Sequence, residues 1–282
     1  MFPEPYLSIN DLSVFSFAGV PRVAVAIKGY YDGGGVHGKH VVLAGYAASP
    51  EKWSQFESGW KDMLAGDGTR PAAAYLHMTD ANALQDDFSP EHGWDRKGVR
   101  RLLMDVANYI SRNFPHGEAV HSYAGASCTI PLDDYNRAVQ VIPNLARKEP
   151  EAICVDQVIS VALRVLPEAK SETDGILGKS GSAELVFDRN EAFYNKIYRV
   201  WNVSYRLRNL PLKLVSAMAV ADAPSVPGLQ AADFLAWTSN KHMWHDDANA
   251  ALTRMLTSPA RHVDLNYDLL LERYKDYNGE VP

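Results

Sequence analysis

Three aspartates in this sequence occupy positions where a carboxylate could do chemistry. Two of them close predicted strands: Asp32 follows the β-branched and aromatic run at 22–31, and Asp188 ends the apolar run at 183–187. Each has a plainer alternative, because an aspartate before glycines is typical of a turn and one before a helix is typical of a cap. Taken singly, neither position decides between these interpretations.

The third aspartate, Asp233, is harder to explain without a function. It lies in a predicted helix over residues 228–244, and Leu229, Ala236 and Trp237 share its helical face. A carboxylate on an apolar face that packs against a sheet costs several kcal/mol unless it is compensated. A basic side chain, backbone donors or a metal ion must therefore act on it. If acids at strand ends and on a packed helix converge, their hard oxygen atoms favour Mg²⁺ or Mn²⁺ over zinc.

The elements that must position these residues interleave strands with helices. The predicted order, β-β-α-β-α-β-α-α-β-α-β-α, indicates an α/β fold with a mixed sheet and helices on both faces. The first two strands, 22–31 and His40–Ala48, are separated by glycines and predict an antiparallel hairpin, which argues against a purely parallel sheet. The other strands are predicted at 73–78, 119–130, 183–188 and 212–220. The helices are predicted from Ser49-Pro50 onward and at 95–113, 132–142, 151–166, 191–206 and 228–244.

Length and composition limit the class of protein. The chain has 282 residues, of which 46% are hydrophobic and 22% charged, and this suits one packed domain over 1–282. We expect a core of about 22–245, a helical insertion of about 131–182 and a helical tail at 246–282. The formal net charge of −6 excludes a generally basic nucleic-acid coat but allows a local basic patch.

Nothing in the sequence predicts export or a membrane. The two cysteines, Cys128 and Cys154, are too few for a disulfide scaffold and lack zinc-site spacing, so we expect reduced thiols. No run reaches the roughly 18 apolar residues of a membrane helix, and residues 1–10 lack the basic start of a signal peptide. The predicted location is the cytoplasm.

Three segments resemble the signature blocks of domain-of-unknown-function family 3800. They read Tyr-Tyr-Asp-Gly-Gly-Gly at 30–35, Glu-Leu-Val-Phe-Asp at 184–188 and Gly-Leu-Gln-Ala-Ala-Asp-Phe-Leu-Ala at 228–236. Their order and spacing, over 23–237, carry the resemblance more than any single block does. The first block departs from the family's usual Tyr-x-Asp-Glu-Ser-Gly, because Gly33 and Gly34 stand where Glu and Ser are usual.

The resemblance implies a ribonuclease-H-like fold in which carboxylates from the first strand, a central strand and a late helix bind metal. It would assign Asp32, Asp188 and Asp233 to a catalytic site for Mg²⁺ or Mn²⁺, with Asp32 bridging two ions. In such a site one ion activates water for in-line attack on phosphorus and the other stabilises the leaving oxygen. Glu191 or Asp80 would replace the acidic ligand that the first block lacks.

The segment Tyr-Leu-His-Met-Thr-Asp at 75–80 resembles a histidine-containing block in part of the same family. This resemblance puts His77 and Asp80 at the border of the site. His77 could orient water or help protonate the leaving group. A structural histidine is the plainer interpretation.

Two basic clusters could bind a phosphate backbone. One includes Arg96 and Arg100 beside Lys97 and Arg101. The other includes Lys196 and Arg199, on the helix predicted at 191–206. We assign Arg96, Arg100, Lys196 and Arg199 to substrate binding. A solvated helix face is the alternative for either cluster.

These patterns predict a metal-dependent nuclease or related phosphodiester hydrolase that acts on DNA or RNA. Two alternatives stay open. One is a catalytically weakened nucleic-acid- or protein-binding module, suggested by Gly33 and Gly34. The other is a metal-dependent phosphatase that acts on a small phosphoester. The aromatic-rich tail could dock on a second copy, so a homo-oligomer also stays open.

Overall fold

The structure, a computed structural model, describes residues 25–34, 39–114, 123–168, 182–189, 215–242 and 260–276. These residues form one six-stranded mixed sheet flanked by helices. The strands are β1 (Val25–Gly34), β2 (His40–Ala48), β3 (Tyr123–Pro131), β4 (Ser182–Asp188), β5 (Val215–Ala221) and β6 (Ala260–Asp264). The helices are α1 (Pro50–Ala65), α2 (Met78–Ala83), α3 (Arg96–Asn113), α4 (Leu132–Val141), α5 (Pro150–Glu168), α6 (Pro227–His242) and α7 (Tyr267–Tyr274).

The strand order is β5-β4-β1-β2-β3-β6. Strand β2 runs antiparallel to both of its neighbours, β1 and β3. The pairs β1–β4, β4–β5 and β3–β6 are parallel. The predicted mixed sheet that begins with an antiparallel hairpin is confirmed. Because β1 and β4 are parallel neighbours, their carboxyl-terminal ends lie side by side.

Each face of the sheet has its own core. Tyr30 and Tyr31 are adjacent in β1 and therefore point to opposite faces. Tyr30 belongs to the core beneath α1, α3 and α6, whereas Tyr31 belongs to the core beneath α4 and α5. The ring of Tyr31 stacks on Phe187 of β4, with centroids 5.7 Å apart. Helices cover both faces, as the sequence predicts.

Helix α1 follows its local sequence signals closely. Ser49 is the N-cap, and its hydroxyl accepts a hydrogen bond from the Lys52 N–H at 3.2 Å. Proline at the first helical position already has helical φ and loses no hydrogen bond there. The buried side chains of α1 recur at helical spacing and fill the core against the sheet; they are Trp53, Phe56, Trp60 and Leu64.

The predicted strand at 73–78 is wrong. No strand is present there, and α2 begins at Met78. The backbone N–H groups of this segment donate elsewhere: that of Ala73 to the Leu64 carbonyl, and that of Leu76 to the Gln230 side chain. The apolar pattern of residues 73–78 predicts a strand, but the backbone N–H groups of this segment bind a carbonyl at the end of α1 and a side chain of α6 instead of a neighbouring strand.

The chain after residue 246, predicted as helical, contains a strand. Strand β6 (Ala260–Asp264) pairs in parallel with β3 and is followed by α7. The five residues of β6 carry no clear alternation, so pairing with an existing edge creates this strand. The predicted helix at 191–206 lies outside the described residues. None of the described helices has the length and apolar character needed to cross a membrane.

A hydrogen-bonded chain of side chains fastens β6 to the sheet. Ser127 and His262 are register partners, and the Ser127 Oγ lies 2.6 Å from His262 Nδ1. His262 Nε2 lies 2.7 Å from Asp264 Oδ1. Ser127 is only 1% exposed, so substrate does not reach its hydroxyl. We therefore interpret this Ser–His–Asp chain as a structural link at an edge strand.

We expect Ser127→Ala to lower the free energy of unfolding by about 1 kcal/mol, because it removes one partner of a buried hydrogen bond. Urea denaturation measures the change. Ser54→Ala on the exposed side of α1 is the control and should stay within about 0.5 kcal/mol of wild type. Equal stability of the two variants would contradict the structural role.

Candidate carboxylate site

Asp32 and Asp188 come together because β1 and β4 are parallel and in register. Tyr31 pairs with Phe187, and the two aspartates follow these residues. Asp32 also pairs with Ala44 of β2. Side chains of register partners project from the same face of a sheet, and Ala44 belongs to the core beneath α6. Both carboxylates therefore lie on the face that α6 covers, at the carboxyl ends of neighbouring strands.

Helix α6 brings Asp233 onto the same spot. The helix approaches β1 closely at Gly228, where a Cβ atom would lie 2.2 Å from Cδ2 of Tyr30. One and a half turns later Asp233 faces the sheet, and its side chain is hydrogen-bonded to that of Asp32. Its Oδ2 also accepts a hydrogen bond from the Met78 N–H at 2.8 Å. The three aspartates that the sequence singled out thus converge.

His77 and Asp80 border this cluster. His77 precedes α2, and its Nδ1 lies 2.7 Å from Asp80 Oδ2. The side chain of His77 is 43% exposed and that of Asp80 is 13% exposed. The imidazole is close enough to Asp233 and Asp188 for their negative charges to act on it. The imidazole of His77 therefore interacts both with the carboxylate cluster and with Asp80, and it is the more exposed side chain of the His77–Asp80 pair.

The electrostatics of Asp233 reflect its crowded position. Burial, with a further contribution from the negative charge of Asp188, raises the pKa of Asp233 from 3.8 to about 6. The Met78 N–H, the His77 charge and the hydrogen bond with Asp32 act in the opposite direction but do not outweigh the burial. Above pH 6 the fold therefore holds an ionised carboxylate at a cost in free energy.

The pKa of His77 is raised, although burial alone would lower it. Burial lowers it, but the hydrogen bond with Asp80 and the charges of Asp233, Asp80 and Asp188 raise it above its ordinary 6.5. Because Asp80 binds Nδ1, the Nε2 atom is the one that can exchange a proton with water or a ligand. A larger share of His77 is thus protonated at neutral pH than of a histidine in water.

The fit of a metal ion can be judged from these donors. Within the described ranges, no group of three or more His, Cys, Asp or Glu side chains is arranged to hold a metal ion. The chemistry of Asp32 and Asp233 nevertheless suits a hard cation, because two carboxyl groups in hydrogen-bond contact need a shared proton or a cation. Glu191, predicted as a further ligand, lies outside the described residues.

The predicted substrate-binding residues divide into two groups. Arg96 donates a hydrogen bond to the Asn82 carbonyl and so ties α3 to the end of α2. Arg100 lines a separate groove on α3 together with Lys97 and Arg101. Lys196 and Arg199 lie outside the described residues. The structure therefore does not bring Arg100 to the three aspartates directly.

Sequence reasoning missed Gln230, which positions the border of the site. Its buried amide accepts hydrogen bonds at Oε1 from Trp60 Nε1 at 2.8 Å and from the Leu76 N–H at 2.9 Å. Its Nε2 donates to the carbonyls of Ala223 and Pro224. Gln230 therefore holds the segment that carries His77 and Met78 against α6. Its place one turn before Asp233 was the available signal.

Comparison of the chain with family models, with curated proteins and with solved structures finds no match. The resemblance to family 3800 therefore stands on the three short blocks and on the residues within them.

We expect Gln230→Leu to lower the free energy of unfolding by about 3 kcal/mol, because Trp60 Nε1 and the Leu76 N–H lose their buried acceptor. Hydrogen exchange at the Leu76 amide should accelerate more than exchange in β1. Gln140→Leu on exposed α4 is the control and should change neither quantity appreciably. Unchanged exchange at Leu76 would rule out the positioning role.

Proposed function

We propose that this protein is a metal-dependent phosphodiester hydrolase, a nuclease whose centre is Asp32, Asp188 and Asp233. The observation that carries the proposal is the contact between Asp32 and Asp233 with Asp188 beside them. It is supported by the match between their elements, a first strand, a neighbouring strand and a late helix, and those that the family resemblance implies. The mixed sheet beginning with a hairpin is consistent with a ribonuclease-H-like fold.

A stabilising role for the cluster is the weaker explanation, because like charges are brought together. The cation acting on Asp233 among the described groups is the imidazole of His77. Clusters whose environment raises a carboxylate pKa are typical of functional sites.

Asp32, Asp188 and Asp233 would hold Mg²⁺ or Mn²⁺ through carboxylate oxygens, with water completing the coordination. Such an ion supplies an activated water and charge stabilisation at a phosphoryl oxygen. The three side chains come from two strands and a packed helix, so the scaffold holds them rigidly. Asp233 is additionally oriented by the Met78 N–H, which leaves its second oxygen for other partners.

His77 is suited to protonate the leaving oxygen. Asp80 accepts the hydrogen bond from Nδ1 and orients the ring, and the protonated Nε2 can donate. The raised pKa of His77 increases the fraction in the acid form at neutral pH. Since Asp80 Oδ2 is engaged with His77, we assign Asp80 to positioning this imidazole rather than to metal binding alone.

A catalytically weakened binding module is the second candidate. Gly33 and Gly34 belong to β1 and pair with Leu43 and Val42 of β2. Neither glycine can supply a ligand atom from a side chain. Tight binding of an oligonucleotide with no cleavage in Mg²⁺ or Mn²⁺ would support this candidate and contradict the hydrolase. Cleavage of a small phosphomonoester but of no nucleic acid would support the phosphatase predicted as the other alternative.

The stability of the protein should depend on Asp233 in a defined direction. Its pKa is raised from 3.8 to about 6, so stability is full below pH 4 with respect to this group and falls as pH rises to about 6. Asp233→Asn keeps an acceptor for the Met78 N–H but removes the charge. In EDTA at pH 8 we expect the free energy of unfolding of Asp233→Asn to be about 2 kcal/mol higher than that of wild type.

Mn²⁺ should reverse this ranking, because only the wild type would keep the full set of carboxylates. Thermal denaturation at pH 8, with EDTA and with Mn²⁺, measures both effects. Asp62→Asn on exposed α1 is the matched control and should follow wild type. If Mn²⁺ stabilises Asp233→Asn as much as wild type, the metal site is not where we propose it.

Cleavage of single-stranded and duplex DNA and RNA in Mg²⁺ tests the function itself. We expect kcat to fall as pH rises at alkaline pH, because His77 then loses the proton that it would donate. His77→Gln should lower kcat by about 10²-fold or more and abolish the alkaline fall. Cleavage by His77→Gln with an unchanged pH profile would exclude His77 as the acid.

A further inference from the structure

A groove on α3 takes no direct part in the proposed reaction. It has a volume of about 670 Å³ and runs between the loop after α1 and the first three turns of α3. Lys97, Arg100, Arg101 and Met104 line its α3 side, and Arg70 lines the opposite side. We call this feature the α3 groove. It concentrates positive charge in a chain whose formal net charge is −6.

The acids of the α3 groove are already engaged. Asp105 Oδ2 accepts from the buried Arg70 at 2.8 Å, so these two charges compensate each other. Asp95 Oδ1 caps α3 by accepting from the Gly98 N–H at 2.6 Å. In the described part of the chain no ion pair involves Lys97, Arg100 or Arg101. The positive charge of Arg101 nevertheless contributes, after the hydrogen bonds with Thr69, to a lowered pKa of Asp67.

The placement of these cations runs against helix stability. The positive end of a helix dipole favours acidic residues in the first turn and disfavours basic ones. The first turn of α3 contains no acid and carries Arg96 and Lys97, with Arg100 and Arg101 one turn later. Arg96 and Arg101 have a structural gain, because they donate hydrogen bonds to the carbonyls of Asn82 and Thr69. For Lys97 and Arg100 the described residues show no such bond, and residues that break a local rule without a structural gain are expected where function requires them. The helix end already has the Asp95 carboxylate as its cap, so an external anion would compensate the cations that follow it.

The groove also has an apolar part. Met104 is 44% exposed beside Arg100 and Arg101, and large apolar side chains this exposed are rare in the part of the chain that the structure describes. A flexible thioether next to phosphate-binding charges suits a partner that has an anionic backbone and apolar faces. A single nucleic-acid strand has both and can bend into a concave surface, whereas duplex bases stay stacked inside the helix.

The groove and the carboxylate site are joined by a short, fixed segment. Pro71 lines the groove and His77 borders the site, and the six residue steps from one to the other span at most about 22 Å. Gln230 holds this segment at Leu76, and Arg96 ties α2 to α3 at Asn82. A strand of a few nucleotides could therefore occupy both places at once.

We propose that the α3 groove binds the backbone of a single-stranded nucleic acid through Lys97, Arg100 and Arg101, as a substrate subsite next to the carboxylate centre. The proposal rests on the proposed function for its substrate class. It deepens that function by naming the strand state of the substrate and the surface that holds it.

Fluorescence anisotropy with a labelled 12-nucleotide single strand tests the subsite, in EDTA so that no cleavage is needed. The test variant is Lys97→Gln with Arg100→Gln and Arg101→Gln. The matched control, Lys61→Gln with Arg147→Gln and Lys275→Gln, removes three exposed charges elsewhere. We expect the test variant to bind at least tenfold more weakly and the control to bind within threefold of wild type. The slope of log K against log salt should fall by about two, as loss of three phosphate contacts predicts.

Folding does not confound this comparison, because removal of cations from a helix N-terminus should leave the melting temperature equal to or above that of wild type. The proposal is overturned if both variants lose affinity equally, if the salt slope is unchanged, or if a duplex binds as tightly as the single strand and depends equally on the groove. Groove binding without any cleavage in Mg²⁺ or Mn²⁺ would contradict the hydrolase while supporting the subsite. If wild type cleaves nucleic acid but the test variant binds the single strand as tightly as wild type, the hydrolase is supported and the subsite is contradicted.

Discussion

The hydrogen bond between the side chains of Asp32 and Asp233 is the interaction on which the rest of the site depends. It joins a strand end to a packed helix, and the same helix lies close to β1 at Gly228. Burial raises the pKa of Asp233 to about 6, so at neutral pH the fold maintains a charge that its own packing disfavours. A domain with a total stability of roughly 5–15 kcal/mol retains such a cost where function requires it.

The hydrogen bonds around α6 extend this contact to neighbouring segments. Asp233 accepts from the Met78 backbone, and Gln230 one turn earlier accepts from the Leu76 backbone. Residues 76–78 are therefore held by side chains of a helix more than 150 positions later in the chain. His77 lies between the two anchored amides, so its position relative to the aspartates follows from α6. The orientation of its ring is set separately by Asp80.

Charge is divided between two places in the molecule. The carboxylates lie on the α6-covered face, at the ends of β1 and β4, whereas the cations of the α3 groove line the outer side of the helix layer. Their separation keeps Lys97, Arg100 and Arg101 from neutralising the aspartates. It also leaves a positively charged groove that the net charge of −6 alone would not predict.

Elements with strong local signals were predictable from the sequence. Helix α1 has its cap at Ser49 and a stripe of large apolar residues, and α3 has its cap at Asp95, because both signals act within a few residues. Local sequence also predicted the hairpin of β1 and β2, and it singled out Asp32, Asp188 and Asp233 as candidate site residues. An acid at a strand end or on an apolar helix face is conspicuous without any knowledge of its partners.

Long-range pairing decided the rest. Residues 73–78 have an apolar pattern typical of a strand, but their backbone donors bind Leu64 and Gln230, which no local window contains. Strand β6 exists because the edge of β3 offers it hydrogen-bond partners, and its own five residues specify little. The sequence by itself therefore determined which side chains had chemistry to offer and which local segments were helical. The tertiary structure alone decided that three carboxylates share one place and that Gln230 and His77 border it, because those contacts depend on segments that are adjacent only after folding.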